Sequence, residues 1–508
     1  MSGRQEYTVT SGKVVDLKAQ LLKQGLAVES AQVPAGPVLY LEVLADDWGR
    51  VARVAVDLEL RWSAVWGEHH SPQLLVTSLI AGCDGHILLR TMVSENQSRL
   101  PSQTPYFPAA NRPERHLQDM FGVQFVDHPD GRRWIRHQGW AEGEFPLRKD
   151  FPVAGNPAAE TPPDCSYTFE PVTGEGVYEV PVGPVHAGII EPGHFRFQAI
   201  GEDMLYLEEH LGYVHKGIEK LAEGRDLAGL ARLAGRISGD SSVGHCWAAC
   251  QAAERALGVE VPARALYLRA IMAERERIAN HIGDIGAICN DVGFTFALVQ
   301  GSKIRERWQR NNATVFGHRL LMDRIIPGGV CCDIDPSYMP TLRAEIIEVR
   351  AEVEELMPML LEYPSLQDRL RTTGILSPPY PPYDTLEVEV PAYIDGDVAK
   401  RTRVRGDEIL ISLTLLENLL ENLPAGELMV DCHNTGAECD GVGLIEGWRG
   451  EIVAYLRLDA DGKVLRYFPR DPSWLNWPAL EELIHNNIVP DFPVCNKSVN
   501  GSYSGQDL

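Results

Sequence analysis

No two of the ten cysteines stand as Cys-x-x-Cys, so the polypeptide lacks the ligand spacing of a ferredoxin-type iron-sulfur site, and any such cluster is expected in a neighbouring subunit. There is no run of about eighteen apolar residues, which excludes an ordinary membrane-spanning helix. The opening MSGRQEYTVTSGKVVDLK lacks the basic-then-apolar pattern of a secretory leader. The expectation is a chain soluble by itself, tied to a membrane only through partners. Positive charge is also short. Lys plus Arg number 47 against 71 Asp plus Glu, and the net −24 excludes nucleic-acid backbones and anionic lipid as direct partners. Internal repeats and low-complexity tracts are absent.

What is present is length and apolar content. At 508 residues and 44% hydrophobic, the chain is long enough for two or three domains and apolar enough to give each a core. The scattered cysteines are expected as reduced thiols. Residues 1–152 read as a small α/β domain: a helix near 13–24, a strand at PVLYLEVLA, a helix through 47–66, and a hairpin with Cys83-Asp84-Gly85 between two apolar runs. A short helix carries PERHLQDMFGV. Residues 153–178, rich in Pro, Gly and small residues, read as a linker.

Residues 179–508 read as a mainly helical domain with peripheral strands, making the fold class α+β. In 201–224, Met204, Leu207, Leu211, Val214, Ile218 and Leu221 recur at three- and four-residue spacing, which predicts one amphipathic helix. A long helix is predicted after Pro262 and before Gly293, a third over 302–324 and a fourth over 339–362. VEVPAY and KRTRVR read as paired strands, followed by a helix at 406–422. Strands alternate around Asp461-Gly462.

Two stretches resemble one known family. PERHLQDMFGVQFVDHPDGRRWIRHQGWAEGEFPLRKDFP at 113–152 resembles the signature of the C-type, thirty-kilodalton subunit of the complex I peripheral arm. It departs where Glu114-Arg115-His116 stands for the usual Glu-Arg-Glu. GPVHAGIIEPGHFRF at 183–197, HLGYVHKGIEKLAEGRD at 210–226, AERERIANHIGDIG at 273–286, DRIIPGGV at 323–330 and EGWRGEI at 446–452 resemble the D-type, 49-kDa-like subunit and its relatives, the large subunits of group 4 nickel-iron hydrogenases. The first of these leans to the hydrogenase branch, in which the two modules occur fused.

The resemblance implies a test. A nickel-iron site of that family takes four cysteines, in RxCGxCxxxH and a later CxxC, because soft thiolates hold nickel and bridge to iron. Here the first motif runs from Arg236 to His245 with Ser238 and Ser241 at the cysteine positions, and the second retains Cys495 but has Ser498. A serine hydroxyl stays protonated, whereas a thiol titrates near ~8.5 and is readily deprotonated by a metal. No nickel-iron centre is therefore expected. An unfamiliar metal on Cys495 with His245 or Glu191 is the rival, and an ordinary buried thiol the plain reading of Cys495. The chain also runs on as NGSYSGQDL past Ser498, without the cleavable extension of processed hydrogenases.

Quinone is the other candidate occupant the resemblance supplies. The tyrosine that donates a proton to it in D-type subunits is replaced by Gly239, and a Gly- and Arg-containing lining segment is missing where RTTGILS runs into PPYPPYD. His186 and His194 occupy the histidine loop in its hydrogenase-like arrangement. Glu191 matches a proton-transfer glutamate, against which stands an exposed loop carboxylate. Glu274, Arg277, His281 and Asp284 share one helix face, read either as a coupling path or as a salt-bridge ladder. Arg449 matches an arginine near the hydrogenase site, with surface decoration as the alternative. Cys246 with Cys250, Cys331 with Cys332, and His433 with Cys432 and Cys439 read as packing residues.

The implied function is a soluble-arm large subunit of a membrane-bound redox complex, coupling electron transfer to ion translocation. No cofactor of its own is expected. The implied partners are a small subunit bearing a 4Fe-4S cluster, a ferredoxin-like subunit and antiporter-like membrane subunits, on the cytoplasmic side of a bacterial inner membrane. The rivals are an active hydrogenase or NADH/quinone oxidoreductase subunit with an atypical site, and a scaffold around a partner dehydrogenase such as one for formate.

Overall fold

The computed structural model describes residues 13–31, 38–82, 85–136, 141, 143–155, 167–186, 190–367, 391, 393, 397–433, 436–485 and 487–508. They form two compact units. One comprises residues up to Glu170 with His210–Leu221 and Asp507, the other Pro171–Glu209, Ala222–Gln506 and Leu508. The fold is α+β, with an N-terminal sheet unit and a largely helical second unit. Among the described residues no helix is long and apolar enough to cross a membrane.

In the first unit α1 (Lys13–Lys23) leads into β1 (Val28–Ala31), β2 (Val38–Val43), α2 (Trp48–Asp57), β3 (Arg61–His70), β4 (Gln73–Gly82) and β5 (Gly85–Ser94). The sheet order is β1-β2-β5-β4-β3. Only the β2–β5 pair is parallel, because α2 and two strands intervene between them. Gly82 pairs with Gly85, closing the hairpin around Cys83 and Asp84, which lie outside the described residues. The helix expected through 47–66 stops at Asp57. Glu59 takes a positive φ of 57°, and from Arg61 the chain is a strand whose Trp62, Ala64 and Trp66 are buried. Aromatic residues in pleated, covered positions outweigh a weak helical period there.

After β6 (Arg99–Pro101), helix α3 (Asn111–Phe121) is buried along most of its length and ends at Gly122, whose φ of 78° suits glycine. Its Glu114 accepts hydrogen bonds from Ser102 Oγ (2.5 Å), Gln103 N (2.8 Å) and Thr104 Oγ1 (2.8 Å), and burial still pushes its carboxyl up to about 7. Asp119 gathers the amides of Trp134, Ile135 and Arg136. His116, the departure from the family pattern, is buried with its ring 3.1 Å from Glu219 in α4 (Ile218–Ala222). β7 (Gln124–Val126) pairs in parallel with β6.

In the second unit β8 (Val177–Val182), β9 (His194–Ile200) and β10 (Asp203–His210) form a sheet of order β10-β9-β8. The single helix expected over 201–224 is therefore corrected. Met204 and Leu207 lie on a strand, and Gly212 and Gly217, with φ of 103° and 70°, separate it from the short α4. The helical spacing there joined apolar residues of different elements. Next come α5 (Leu227–Ala234), α6 (Ser242–Leu257), α7 (Ala263–Asp291), α8 (Thr295–Phe316), the small hairpin of β11 (Ile325–Ile326) and β12 (Gly329–Val330), α9 (Met339–Glu362), α10 (Pro364–Gln367) and α11 (Val398–Glu421). α8 begins seven residues earlier than expected and stops before Gly317, whose φ is 80°. KRTRVR is helix, not strand: Asp397 accepts from Lys400 N at 2.8 Å and starts α11 at Val398. Most of VEVPAY, and the junction of RTTGILS with PPYPPYD, lie outside the described residues.

β13 (Cys439–Gly447), β14 (Gly450–Leu458) and β15 (Val464–Arg470) make an antiparallel sheet against which α6 packs. Contact is close because α6 presents Ala248, Ala249, Ala252 and Ala256, and because a Cβ at Gly443 or Gly441 would run into the Ala248 or Ala252 carbonyl. α12 (Ser473–Leu483), α13 (Phe492–Val499) and α14 (Tyr503–Asp507) close the chain.

α5 starts at Asp226, whose Oδ1 accepts from Gly229 N at 2.7 Å. Asp226→Ala is expected to cost about 1 kcal/mol, seen as a lower urea midpoint at unchanged slope.

Candidate functional site

The loop between α5 and α6 carries Ser238 and Ser241, the two serines singled out from the sequence. It is held from outside by Arg236, paired with both oxygens of Asp323 at 2.6 and 2.7 Å. From inside, the α7 residue Glu276 reaches the first turn of α6 and accepts from Val243 N (2.7 Å) and Gly244 N (3.1 Å). A carboxyl there meets the unsatisfied amides and positive end of the helix. Desolvation and the nearby Asp240 nevertheless outweigh those amides and Arg449, and push Glu276 up to about 8.

Asp240, inside the motif, organises the loop. It accepts from Ser238 Oγ at 2.6 Å and from both terminal nitrogens of Arg449 at 2.8 and 2.6 Å. Burial alone would raise its pKa, but the paired guanidinium reverses this and holds it below the usual carboxylate range. Arg449 also donates to Ser241 Oγ (3.2 Å) and to the Asn500 carbonyl (2.6 Å). Arg449 is therefore a buried tie between β13–β14 and the chain after α13, not surface decoration.

The carboxyl-terminal segment supplies the rest. Ser502 Oγ lies 2.9 Å from Ser238 Oγ, and Ser502 N donates to Ser473 Oγ at 2.8 Å. Ser473 N donates to Asp471, whose other oxygen lies 2.8 Å from His245 Nε2. Both His245 and Asp471 are fully buried. Burial pushes Asp471 up, but the His245 contact prevails and holds it below the ordinary carboxylate range. Ser498 Oγ donates to the Cys495 carbonyl (2.7 Å) and accepts from Arg401 Nε (3.0 Å). Burial pushes the Cys495 thiol up to about 11, partly offset by Arg401. Arg401 is in turn lowered to about 10, by burial and then by Arg405.

Ser238, Ser241, Cys495 and Ser498 thus belong to one network, with His245 behind it through Asp471 and Ser473. As a donor set it does not fit a soft-metal cradle. Three of the groups are hydroxyls already engaged by Asp240, Arg449 or Arg401, and only one thiol stands among the four. Among the described residues no group of three or more His, Cys, Asp or Glu side chains is arranged to hold a metal ion.

The α7 stripe is paired along its length, mostly to α11. Glu274 accepts from Ser412 Oγ (2.5 Å), His281 Nε2 lies 2.6 Å from Glu408, and Asp284 accepts from Arg405 Nε (3.0 Å) and Asn500 Nδ2 (2.7 Å). Arg277 donates to Glu274 and to the carbonyls of Glu446 and Gly447. Burial favours the neutral form of Glu408, yet His281, with Arg277 and Arg405 behind it, lowers it below its ordinary value.

Glu191 is exposed and joins the network at its rim, accepting from Ser504 N at 2.9 Å. His194 is buried at the start of β9 with Nδ1 2.9 Å from the Gly183 carbonyl, and His186 is half-buried in the same loop. Residues 187–189 between them lie outside the described residues. Sequence reasoning missed Asp240, Glu276, Arg401, Arg405, Asp471 and Ser502. The i, i+4 spacing of Arg401 and Arg405 was a usable signal once Asp397 is read as a helix cap. Nothing local marked Asp471, which sits 226 residues from His245.

Known proteins share this framework. Residues 41–157 match the model of the respiratory-chain NADH dehydrogenase 30 Kd subunit, residues 291–378 and 376–440 that of the 49 Kd subunit, and residues 216–283 that of nickel-dependent hydrogenases. The chain is 33% identical to hydrogenase-4 component G of Escherichia coli, over 83% of this chain and 78% of the relative. It is 31% identical to formate hydrogenlyase subunit 5 of the same organism, over 86% and 82%. With the fused C/D polypeptide of NADH-quinone oxidoreductase from Phocaeicola vulgatus it shares 28%, over 80% and 86%. A chain of the membrane-bound sulfane sulfur reductase, an archaeal respiratory membrane complex, superimposes with a TM-score of 0.61 at 24% identity, covering 66% of this chain and 99% of that one, a likeness of fold.

Proposed function

Because the chain belongs to the family of large subunits, fused from 30 Kd- and 49 Kd-type modules, that complex I shares with membrane-bound hydrogenases, we propose that it is the soluble-arm large subunit of a membrane-bound redox complex and carries no nickel-iron centre of its own. One observation carries the second half of this reading. At the expected ligand positions, Ser238, Ser241 and Ser498 are tied into hydrogen bonds with Asp240, Arg449 and Arg401, and Cys495 is the one thiol among the four. Hard, protonated hydroxyls do not replace bridging thiolates. The same bonds make the disabled site a rigid joint between the α6 loop, α7, α11 and the carboxyl-terminal segment.

Electrons then pass through a partner. We assign a 4Fe-4S cluster to a small subunit, further clusters to a ferredoxin-like subunit, and ion translocation to antiporter-like membrane subunits, with this chain peripheral on the cytoplasmic face. Its role is coupling, through the α7–α11 ladder of Glu274, Arg277, His281 and Asp284. Quinone is not assigned, since Gly239 has no proton to offer where D-type subunits have tyrosine.

The test is metal analysis of the complex purified from membranes. Nickel is expected far below one per chain, with hydrogen uptake and evolution absent. Stoichiometric nickel bound to this chain, together with hydrogen turnover lost in Cys495→Ser, would falsify the reading.

A further inference from the structure

Two adjacent cysteines, read from sequence as packing residues, are placed otherwise by the structure. Cys331 is exposed and Cys332 half-buried, directly after β12. The backbone around them is fixed on both sides. Ile325 pairs with Val330, Val330 N donates to the Leu428 carbonyl (2.9 Å), and Cys331 N donates to the Arg324 carbonyl (3.0 Å). Beyond the pair, Asp333 is held by Arg264 at 2.7 Å. The two thiols are on neighbouring residues, and Cys331 Sγ donates to the Asp323 carbonyl oxygen at 3.2 Å. Cys331 opens on a groove of about 560 Å³ whose apolar lining includes Leu227, Ile325, Ile326 and Met429, with Arg232, Asp323 and Cys432 also on its wall.

We propose that Cys331 and Cys332 are a surface dithiol that reacts as a unit, chelating trivalent arsenicals and closing to a disulfide with peroxide-class oxidants. The oxidation balances. The Cys331 thiolate attacks one peroxide oxygen and expels hydroxide, leaving a sulfenic acid. Cys332 sulfur then attacks that sulfur and releases the hydroxyl as water, so two electrons leave the sulfurs and hydrogen peroxide becomes two waters. An arylarsenic fits because the adjoining groove offers Leu227, Ile325, Ile326 and Met429 to the ring and the two cysteines are neighbours.

Electrostatics support the same assignment. Cys332 and the nearby Arg324 lower the Cys331 thiol below its ordinary value, against the opposing effect of burial. Cys332 rises in compensation. Other thiols are shifted the other way: Cys432 and Cys495 are pushed up to about 11 and Cys289 to about 12, chiefly by burial.

The test uses phenylarsine oxide on the purified complex. One arsenic per chain is expected on tryptic peptide 325–343, which contains both cysteines, released by a dithiol but not by a monothiol. Cys331→Ser and Cys332→Ser should each abolish uptake with unchanged melting curves. Peroxide should remove two hydrogens from the same peptide, reversibly. Uptake that survives Cys332→Ser overturns the proposal, as does iodoacetamide labelling of Cys331 without arsenical uptake. Failure of both reagents in the complex overturns it as well, because the pair is then not at a surface.

Discussion

Replacing His245 with alanine is expected to lower the unfolding free energy by about 3–5 kcal/mol, because it strands a buried carboxylate. Asp471 has no exposed surface and its Oδ2 lies 2.8 Å from His245 Nε2. The Ser473 amide would remain on the other oxygen, and Gly505 packs against the carboxylate from behind, leaving no room for a compensating side chain. The ring removed is itself fully buried, so a cavity adds to the loss. Urea unfolding followed by tryptophan fluorescence should show a lower midpoint at unchanged slope. In a double-mutant cycle, His245→Ala with Asp471→Ala should show a coupling above about 1 kcal/mol. Stability unchanged in His245→Ala would mean that the histidine is not part of the joint, and would favour its serving a ligand or proton instead.

The second large effect is a pH dependence centred on Glu276. Its carboxyl is raised from 4.5 to about 8 in the folded protein, by desolvation first and Asp240 next, against the Val243 and Gly244 amides and Arg449. The folded state therefore binds the proton more tightly than the unfolded chain. The associated stability is fully present below about 4.5 and is lost as pH rises to about 8, beyond which the curve levels; the total is about 3–5 kcal/mol by linkage. Glu276→Gln cannot ionise and keeps an oxygen acceptor for one of the two amides. The variant should match the parent near pH 5 and exceed it by that amount near pH 9. Glu114 in the other unit, raised to about 7, contributes a slope of the same sign, so the difference between parent and variant isolates Glu276. Equal pH slopes in the two proteins would mean that Glu276 is ionised in the fold at neutral pH.

Both effects bear on the proposed role. If the former ligand positions now form a joint, the residues around them should matter first for stability and for force transmission between α7, α11 and the carboxyl-terminal segment. Variants there would uncouple a complex without removing a metal.

The elements readable in advance are those whose local signals agree. α9 spans Met339–Glu362, the range expected for the fourth helix, and α7 starts just after Pro262 and ends just before Gly293. The turn at Asp461-Gly462 separates β14 from β15, with Gly462 at a φ of 77°. Errors arose where a period was shared by accident. Residues 201–224 keep helical spacing across a strand, a loop and a short helix, and KRTRVR has a strand-like alternation that the Asp397 cap overrides.

The residue sequence by itself determined the family, the two modules and the presence of Ser238, Ser241 and Ser498 where the resemblance leads one to expect thiols, because these depend only on which atoms stand at which spacing. Tertiary structure alone decided what those hydroxyls do. Asp240 is a local partner, but Arg449, Ser502 and Arg401 arrive from segments far apart in the chain, and whether a serine is a vacant ligand position or a hydrogen-bonded joint depends on what folding brings within about 3 Å of it. The same reason separates Cys331 from the buried cysteines, since exposure is a property of the folded surface.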